Sequence, residues 1–487
     1  MKIAMVSAEI GPFAKTGGLA DVVQTLSLAL ERRGHELVLI LPAYRCALQG
    51  DFLLDETPIR LSVPLAEQRR EASVLQTKLG ANTSVYLVRA DTFFDREFLY
   101  GTPEGDYEDN CQRFVFFSRA ALELLRHMPA DLLHCHDWQT SLAIVFLKAQ
   151  APRYPELQST QAVVTVHNLG FQGIFPQTDW RWLNLDESYF TPEYLEFYDN
   201  INFLKGALLF ADKITTVSPS YAQEIMDMEQ GFGLEGVLRE RARDVVGILN
   251  GVDYGQWNPA TDPFIAKPYS DNNLTAKRKC KKSLQRAMGL PDKPDVPLIG
   301  MISRLTSQKG FDLLEKLFDR LMERELQIAL LGNGEPRYQN FLSDAAARFP
   351  MKVAVRFGFD EPLAHQIEAG ADIFLMPSLY EPCGLNQMFS LKYGTIPIVR
   401  AVGGLKDTVE DYDAENGSGT GFVFGPYEAP ALLATLDRAL QVFRQKKEWT
   451  ALRRRAMSLD FSWDRSADAY SQLYQCCAVT EHPREVR

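Results

Sequence analysis

The first half of the sequence alternates short apolar strands with amphipathic helices. Residues 2–8 predict a buried strand, and residues 19–33 carry apolar side chains at helical spacing up to Gly34. Further strands are predicted over residues 36–41, 84–89, 131–135, 162–167, 213–217 and 245–249, and a further helix over residues 111–126. Strands that alternate with helices in this way form a parallel sheet with helices on both faces.

The alternation stops between residues 255 and 282, which are rich in proline, asparagine and aspartate and then strongly basic. A second series follows, with strands predicted over residues 297–303, 327–331, 353–357, 371–376, 396–399 and 422–424 and helices that include 310–324 and 429–444. We therefore predict an α/β protein with two doubly wound, Rossmann-like domains, residues 1–250 and 291–456, joined by a linker region over 251–290. Loops from both domains are expected to line one cleft. In the tail, Trp463, Tyr470 and Tyr474 recur at helical spacing, which predicts a packed helix.

Length and composition exclude several classes of protein. At 487 residues the chain is too long for one ordinary core, and its 52 basic against 63 acidic residues argue against nucleic acid or an anionic membrane as partner. The seven cysteines are irregularly spaced without a CxxC pair, so neither a disulfide framework nor a zinc site is expected. The sequence begins directly with a strand, shows no signal-peptide pattern and has no apolar run of the ~18 residues that span a bilayer, so we expect a cytoplasmic protein.

A glycine-containing loop follows the first predicted strand. Its sequence is KTGGLAD, residues 15–21, which matches neither the GxGxxG dinucleotide fingerprint nor the GxxxxGK[ST] phosphate loop. A tight turn with Lys15 in solvent would explain it, but paired glycines before a helix also allow close approach of an anion. The position after the first strand favours a binding role.

The corresponding loop of the second half is SRLTSQKG, residues 303–310. Arg304 and Lys309 flank it and are suited to neutralise a diphosphate, although two surface cations would be an adequate explanation of this loop alone. Because the loop occupies the same place in the second series as the Lys15 loop does in the first, we favour a binding role here also.

A third loop, SLYEPCGLNQ over residues 378–387, connects a predicted strand to a predicted helix. Such connections at the carboxyl ends of parallel strands are where ligands bind, and the helix N-terminus suits a phosphate. Glu381 in this loop is either an ordinary surface carboxylate at a helix entrance or a functional group beside an anion site.

Polar residues also end two neighbouring strands of the first half. His136 and Asp137 end one, and His167 ends the next, without the further ligands that a zinc site needs. Either histidines in a core or the lining of a cleft would explain them. Phe359 is an aromatic residue of a predicted loop that stacks on a base or sugar or simply packs, and on its own sequence context packing is favoured. Gly403-Gly404 either turns the chain or admits a ligand.

Together these segments resemble bacterial glycogen synthase and plant starch synthase. The resemblance rests on seven segments: KTGGLAD (15–21), HDW (136–138), TVHN (165–168), NGVD (250–253), SR with QKG (303–304 and 308–310), YEPCGL (380–385) and GGL (403–405). The matches to the family occur in the expected order and run from residue 2 to beyond residue 460. It implies the GT-B fold, with two Rossmann-like domains facing across a deep cleft and a C-terminal helix, residues 457–487, that returns to the N-terminal domain. It also implies transfer of glucose from ADP-glucose to the non-reducing end of an α-1,4-glucan (glycogen, starch or maltooligosaccharide), with retention of configuration and without a metal or other cofactor.

The resemblance also assigns roles to residues. The catalytic group would comprise Glu381, Arg304, Lys309, His167 and Asp137. The substrate-binding group would comprise Lys15, Gly18, Asp21, Asn250, Ser303, Phe359, Cys383, Gly384, Leu385 and Asn386. Many members carry threonine where this chain has Asn386, so a contact of the donor with the backbone rather than with the side chain is implied there.

Charge suggests a mechanism. The departing ADP needs cations, and glucose becomes oxocarbenium-like as its bond to phosphate stretches, so Glu381 would stabilise that charge or position the sugar. Retention fits a covalent glucosyl-enzyme or front-face attack, and we favour the latter because no second carboxylate is placed for acid–base work. The alternatives are a GT-B transferase that uses UDP-glucose and, less favoured, a non-catalytic glucan-binding regulator.

Overall fold

The computed structural model describes residues 1–102 and 104–479, which form two compact units. The first unit comprises Met1–Val217, Ala222–Gly251 and the chain from Trp463. The second unit comprises Ser218–Tyr221 and Val252–Ser462. The fold class expected from the alternation, two Rossmann-like α/β domains, is confirmed. The chain thus leaves the first unit at Gly251 and rejoins it at Trp463.

The described residues of the first unit before residue 251 form fourteen strands and eight α-helices. The strands are β1 (Lys2–Val6), β2 (Glu36–Pro42), β3 (Asp55–Leu65), β4 (Gln68–Leu79), β5 (Thr83–Arg89), β6 (Gly101–Thr102), β7 (Gly105–Asp106), β8 (Leu132–His136), β9 (Gln161–Val166), β10 (Ile174–Pro176), β11 (Glu196–Phe197), β12 (Asn200–Asn202), β13 (Lys213–Thr216) and β14 (Val245–Gly247). The helices are α1 (Gly18–Arg32), α2 (Arg45–Gln49), α3 (Asp91–Phe94), α4 (Asn110–Leu125), α5 (Trp138–Ala149), α6 (Phe203–Phe210), α7 (Pro219–Glu224, whose first turn lies in the second unit) and α8 (Glu235–Glu240).

Nine of these strands form one twisted sheet in the order β14-β13-β9-β8-β1-β2-β5-β4-β3. Seven of them are parallel, from β14 to β5, and their near-continuous apolar sequences are buried. This pattern is the one expected for a sheet covered on both faces. The carboxyl ends of β1, β8 and β9 are neighbours, which brings the loops after them together.

The antiparallel hairpin β3–β4 was missed by the sequence analysis. Pro58 and Pro64 lie within β3, and β4 begins with the charged sequence QRRE, so neither segment shows the apolar pattern of a buried strand. In the sheet β3 is the edge strand, the position at which proline is tolerated because no ladder hydrogen bond is lost on the open side.

The second unit has six strands in the order β17-β16-β15-β18-β19-β20, all parallel. They are β15 (Leu298–Leu305), β16 (Gln327–Gly334), β17 (Val353–Phe357), β18 (Ile373–Met376), β19 (Ile396–Arg400) and β20 (Phe422–Phe424). Its helices are α9 (Lys277–Ala287), α10 (Phe311–Met322), α11 (Pro336–Arg348), α12 (Glu361–Gly370), α13 (Asn386–Tyr393), α14 (Gly403–Thr408), α15 (Ala429–Arg444) and α16 (Lys446–Ser458).

Residues 251–290, predicted as a linker region, are part of the second unit from Val252 onward. Trp257 stacks between the rings of His365 and Phe389, at centroid distances of 3.8 and 4.0 Å. Helix α9 contributes Leu284 to a core cluster with Leu298 and Phe374. The basic residues of α9 had obscured this amphipathic helix.

The last described helix, α17 (Trp463–Val479), packs in the first unit. Trp463, Tyr470 and Tyr474 are buried there, as their helical spacing predicted. Arg33 of the loop after α1 holds the other side of α17 through Asp464 and Asp468. None of the described helices is long and apolar enough to cross a membrane.

Candidate active site

Glu381 is a buried carboxylate paired with a cation in the second unit. Lys309 Nζ lies 2.6 Å from Glu381 Oε2, and Ser378 Oγ donates to the same oxygen at 3.0 Å. Only 6% of Glu381 is exposed. The simple explanation of Glu381 as a surface carboxylate is therefore wrong, and the ion pair keeps a charged carboxylate in a site that excludes most water.

Two loops create this pair, the cation loop (residues 303–310), which includes the last three residues of β15, and the carboxylate loop (residues 377–385) after β18. The backbone N–H of Leu379 donates to the Gln308 carbonyl at 2.8 Å. Gly310, at φ +81°, lies against Pro377, and a Cβ there would lie 2.2 Å from the Pro377 carbonyl oxygen. Only glycine satisfies both conditions, so Gly310 is required for the two loops to approach one another.

The Gly403-Gly404 turn supports the carboxylate loop from the other side. A Cβ at Gly403 would lie 2.0 Å from the Glu381 carbonyl oxygen, and one at Gly404 would lie 2.1 Å from the carbonyl oxygen of Cys383. The Gly404 N–H donates to the Glu381 and Pro382 carbonyls at 3.2 Å. These glycines therefore allow the two backbone segments to approach one another closely, and they fix the position of Glu381.

Helix α13 begins directly after the carboxylate loop. The side-chain amide of Asn386 donates to the carbonyl of Ile302 in β15, at 2.7 Å, which ties the helix N-terminus to the strand residue that precedes the cation loop. Gln387 Nε2 donates to the carbonyls of Cys383 and Gly384, and Cys383 itself is buried. Leu385 is the N-cap, so the first N–H groups of α13 are without intrahelical acceptors.

Other predicted residues of the second unit are more open. Arg304 is exposed and contacts Gln308 Oε1 only at 3.4 Å, while the hydroxyl of Ser303 donates to the Arg304 carbonyl. Phe359 is 84% exposed after Gly358, so it does not serve simple packing. An exposed cation and an exposed aromatic ring are both available to a ligand.

Sequence analysis missed the segment Ser218–Tyr221, which contacts the carboxylate loop within the second unit. Ser218 Oγ donates to the Pro382 carbonyl at 2.6 Å, and both the N–H and the hydroxyl of Ser220 donate to the Asp407 carboxylate. The Ser-Pro-Ser sequence directly after a strand end was the available signal.

In the first unit, Glu9 organises the loop of residues 9–18, which we call the glycine loop. Its carboxylate accepts hydrogen bonds from the Thr16 and Gly17 N–H groups, from Thr16 Oγ1 and from Tyr100 Oη. Lys15 forms an exposed ion pair with Asp21 at 2.8 Å. The analysis named Lys15, Gly18 and Asp21 but not Glu9, whose role depends on contacts that only the folded loop creates.

Three histidines of the first unit, His134, His136 and His167, form a cluster along β8 and at the end of β9, with His134 and His136 buried and His167 partly exposed. His136 Nδ1 and His167 Nε2 share a hydrogen bond of 3.0 Å, and the rings of His134 and His136 lie 4.2 Å apart. Burial lowers the pKa of His134 and of His167 to about 3 and lowers that of His136 well below its usual value. All three are therefore neutral at pH 7, which suits His167 to hydrogen bonding rather than to donating a proton.

Asp137 precedes α5 in a left-handed conformation, at φ +56°, which is uncommon outside glycine. Its Oδ1 accepts the His167 N–H at 2.7 Å. Burial raises the pKa of Asp137 to about 7, against the lowering effect of the His167 and Asn168 N–H groups. Asp137 and His167 are thus held together, as expected from the neighbouring strand ends.

Asn250 lies near the end of the segment Ala222–Gly251 of the first unit. The residue is 6% exposed, and its Oδ1 is buried without a hydrogen-bond partner among the described residues.

Within residues 1–102 and 104–479, no group of three or more His, Cys, Asp or Glu side chains is arranged to hold a metal ion. None of the seven cysteines, all of which lie in the described residues, forms a disulfide.

Comparison with known proteins identifies the family. Residues 2–240 match the family model "Starch synthase catalytic domain", and residues 287–451 match "Glycosyl transferases group 1". The chain is 45% identical to "Glycogen synthase 2" of Geobacter sulfurreducens, covering 99% of both chains, and 45% identical to "Glycogen synthase" of Koribacter versatilis over the full length of both. The chain belongs to the glycogen and starch synthase family. It is therefore a glycosyltransferase.

Solved structures agree with this membership of the glycogen and starch synthase family. The catalytic domain of starch synthase IV from Arabidopsis thaliana, bound to ADP and acarbose, superposes with a TM-score of 0.90 and 34% identity, covering 98% of this chain and 99% of that one. Sucrose-phosphate synthase from Thermosynechococcus elongatus, at 17% identity and a TM-score of 0.62, shares the fold.

Proposed function

We infer that this member of the glycogen and starch synthase family is a glycogen synthase that transfers glucose from ADP-glucose to the non-reducing 4-hydroxyl of an α-1,4-glucan, with retention of configuration. The observation that carries the proposal is the buried Lys309–Glu381 pair, held at 2.6 Å between two mutually bonded loops at a helix N-terminus. A cation, a carboxylate and free N–H groups at one point are what a glucosyl diphosphate donor requires.

The donor phosphates are assigned to the cation loop and to α13. Arg304 is exposed and lightly held, so its guanidinium is free to bind a phosphate with two hydrogen bonds. Lys309 is 17% exposed in its side chain and carries its charge beside Glu381. The backbone N–H groups of Leu385 and Asn386, which Gly384 allows a ligand to approach, complete the site, and Lys15, Gly18 and Asp21 of the glycine loop contribute to donor binding.

Glu381 is assigned to electrostatic support of the glucosyl group. Its ion pair with Lys309 and its hydrogen bond from Ser378 engage the carboxylate and stabilise its charge, which makes it a poor nucleophile. A fixed anion stabilises the positive charge that develops on glucose as the bond to ADP breaks. The leaving phosphate then takes the proton of the attacking 4-hydroxyl on the same face of the sugar, which retains configuration.

His167 and Asp137 are assigned to sugar hydroxyls. A neutral His167, oriented by His136, binds a donor hydroxyl without changing its protonation. Asp137, with a pKa of about 7, is assigned to the acceptor glucan. Asn250, Ser303 and Cys383 are assigned to shaping the substrate site, and Phe359 to stacking on the adenine ring.

A transfer assay tests the proposal. Radiolabelled ADP-glucose and UDP-glucose are compared, each with and without glycogen, and incorporation into glucan is measured together with nucleotide release. We expect glycogen-dependent transfer from ADP-glucose, at a rate unchanged by EDTA because no metal or cofactor is assigned to the reaction. Preference for UDP-glucose would refute the donor assignment, and the absence of transfer from either donor would refute the synthase assignment. We also propose that the enzyme is cytoplasmic, and the proposed glucan substrate and cofactor-free reaction are consistent with this location.

A further inference from the structure

The second unit contains a basic pocket, by which we mean the cavity between the start of α9, the start of β18 and helix α16. Its volume is about 420 Å³, within the range of pockets that bind small molecules. Six cationic side chains line it: Lys277, Arg278, Lys281, Lys446, Arg453 and Arg454. Asp295 and Asp372 are the carboxylates that line it, so the pocket carries an excess of positive charge although the whole chain has a net charge of −11.

The carboxylates are already engaged. Asp372 is bound by Lys281 Nζ and by Arg453 Nη2, each at 2.6 Å, and Asp295 pairs with Lys446 at 3.4 Å. Arg278 and Arg454 are exposed, and within the described part of the chain neither forms an ion pair. Two guanidinium groups therefore face this pocket with charge that no carboxylate neutralises.

Two further donors, of Trp449 and Arg453, lie in the wall of the basic pocket. Trp449 is 2% exposed, and its indole N–H has no hydrogen-bond partner among the described residues. Nε of Arg453 is likewise buried without a partner in that part of the chain. Both donor atoms are closed to solvent, so the groups that a ligand in the pocket contacts are the exposed cations rather than these two donors.

Aromatic rings and buried charge define the chemistry further. Lys281 and Lys446 lie over the ring of Phe443, at 5.5 and 4.4 Å from its centroid, so the cations are held against an apolar wall. Burial lowers the pKa of Lys277 to about 7, and its Nζ already donates to the Ala369 carbonyl and to Thr395 Oγ1, at 2.9 and 2.6 Å. Cations that surround an aromatic wall suit a compact anion with an attached organic group.

The basic pocket is separate from the candidate active site. Asp372 precedes β18 and accepts the N–H of Leu298, the first residue of β15. The cation loop and the carboxylate loop follow the opposite, carboxyl ends of β15 and β18. The pocket therefore lies at the amino ends of the same two strands whose other ends carry Arg304 and Glu381.

We propose that the basic pocket is a second anion site, which binds the phosphate group of a phosphorylated small molecule through Arg278 and Arg454 beside Lys281 and Arg453. Guanidinium groups bind phosphate with paired hydrogen bonds, and exposed cations exchange water for such a ligand readily. This inference does not depend on the reaction proposed above.

Calorimetric titration with inorganic pyrophosphate tests the site. All proteins carry Arg304→Ala, which removes an exposed cation of the proposed donor site and so reduces competing binding there. In this background the pocket variant R278A/R454A is compared with the control K279A/K447A, which removes two exposed lysines that are neighbours of pocket residues on α9 and α16 but do not line the pocket. Both pairs remove the same charge, and ionic strength is held constant with chloride.

We expect the parent and K279A/K447A to bind pyrophosphate equally, and R278A/R454A to bind about tenfold or more weakly, or to lose one binding event. Equal binding by the two double variants would overturn the proposal, because it would reflect net charge alone. Absence of binding by the parent would overturn it as well. Circular dichroism of R278A/R454A checks that the fold is kept. Binding of inorganic phosphate in place of pyrophosphate would also support the site, and it would show that one phosphate group suffices.

Discussion

Glu381 illustrates how a single residue acquires a role from its surroundings. In the sequence it precedes a helix, where carboxylates are common. In the structure its charge is matched by Lys309 and its carbonyl is fixed by Gly404, so neither its side chain nor its backbone is free to move. A carboxylate fixed in this way is suited to stabilise charge that appears only during reaction.

The substitution Glu381→Gln tests this role. Gln keeps the shape and a hydrogen bond but not the charge, so we expect turnover to fall by about 10²–10³-fold while the affinity for ADP-glucose is roughly kept. Steady-state kinetics and a separate binding titration measure the two quantities. The exposed Glu325→Gln in the same unit serves as control. Unchanged turnover in Glu381→Gln would exclude the proposed role.

At the scale of elements, α17 supports the histidine cluster of the first unit. Tyr474 Oη lies 2.8 Å from His134 Nδ1, and His134 Nε2 lies 2.6 Å from Thr165 Oγ1. His134 in turn packs on His136, the hydrogen-bond partner of His167. Helix α17 thus contacts His134, and through His134 and His136 it is connected to His167, the residue proposed to bind a sugar hydroxyl.

Tyr474→Phe removes one hydroxyl from this chain of contacts. His134 would keep a buried nitrogen without a partner, which costs about 1–3 kcal/mol of unfolding free energy. We expect the melting temperature of the first unit to fall by about 2–4 °C for each kcal/mol. Tyr44→Phe is the matched control, since the buried Tyr44 hydroxyl has no partner among the described residues. A fall of equal size in both variants would contradict this account.

Helix α12 carries a buried carboxyl group whose titration affects stability. Ser390 of α13 donates to Glu368 at 2.6 Å, and burial raises the pKa of Glu368 to about 8. Between pH 4.5 and 8 the folded state holds a proton that the unfolded state has released, so stability falls as the pH rises through this window. Below it, the contribution of the protonated form is fully present.

Glu368→Gln cannot titrate and should remove this dependence. We expect its melting temperature relative to the parent to increase between pH 5 and pH 8 and then to level off, since the unfolding free energy of the parent falls by at most about 1.4 kcal/mol for each pH unit and only within this window. Differential scanning calorimetry across this range measures the change. Glu325→Gln, which removes an exposed carboxyl, should not show it. A constant difference between Glu368→Gln and the parent would mean that Glu368 is ionised in the folded protein.

At the scale of the whole molecule, the chain passes through the second unit and returns to the first. The buried face of α17 includes Trp463, Tyr470 and Tyr474, and each large apolar side chain of this kind contributes about 1.5–3 kcal/mol by burial. The first unit therefore depends on residues that are synthesised after the second unit.

A chain that ends at Ser462 separates the two contributions. We expect the first unit to unfold at a markedly lower temperature because the surface under α17 is exposed, while the second unit keeps its own transition. Calorimetry resolves the transitions, and hydrogen exchange assigns each to its unit. Loss of protection in β15 to β20, with β1 to β9 unaffected, would contradict the division of the chain described above.

Much of the fold followed from the sequence because parallel strands covered by helices are continuous apolar segments. The second series of strands was predicted nearly residue by residue, as for 353–357 and 422–424. The hairpin β3–β4 could not be found, since its prolines and charges are tolerated only at a sheet edge. Helix α9 was hidden for a similar reason, because its lysines and arginines conceal a narrow apolar face.

The sequence by itself determined the family, the two Rossmann-like domains and the loops that carry Lys15, Arg304, Lys309 and Glu381, because these depend on local patterns and on strand ends. Only the tertiary structure decided that Lys309 neutralises Glu381, that Gly403 and Gly404 pack on its backbone, and that Glu9 holds the glycine loop. Each of these contacts joins residues from different loops or from distant parts of one loop, and their distances are set by how the elements pack rather than by any local spacing.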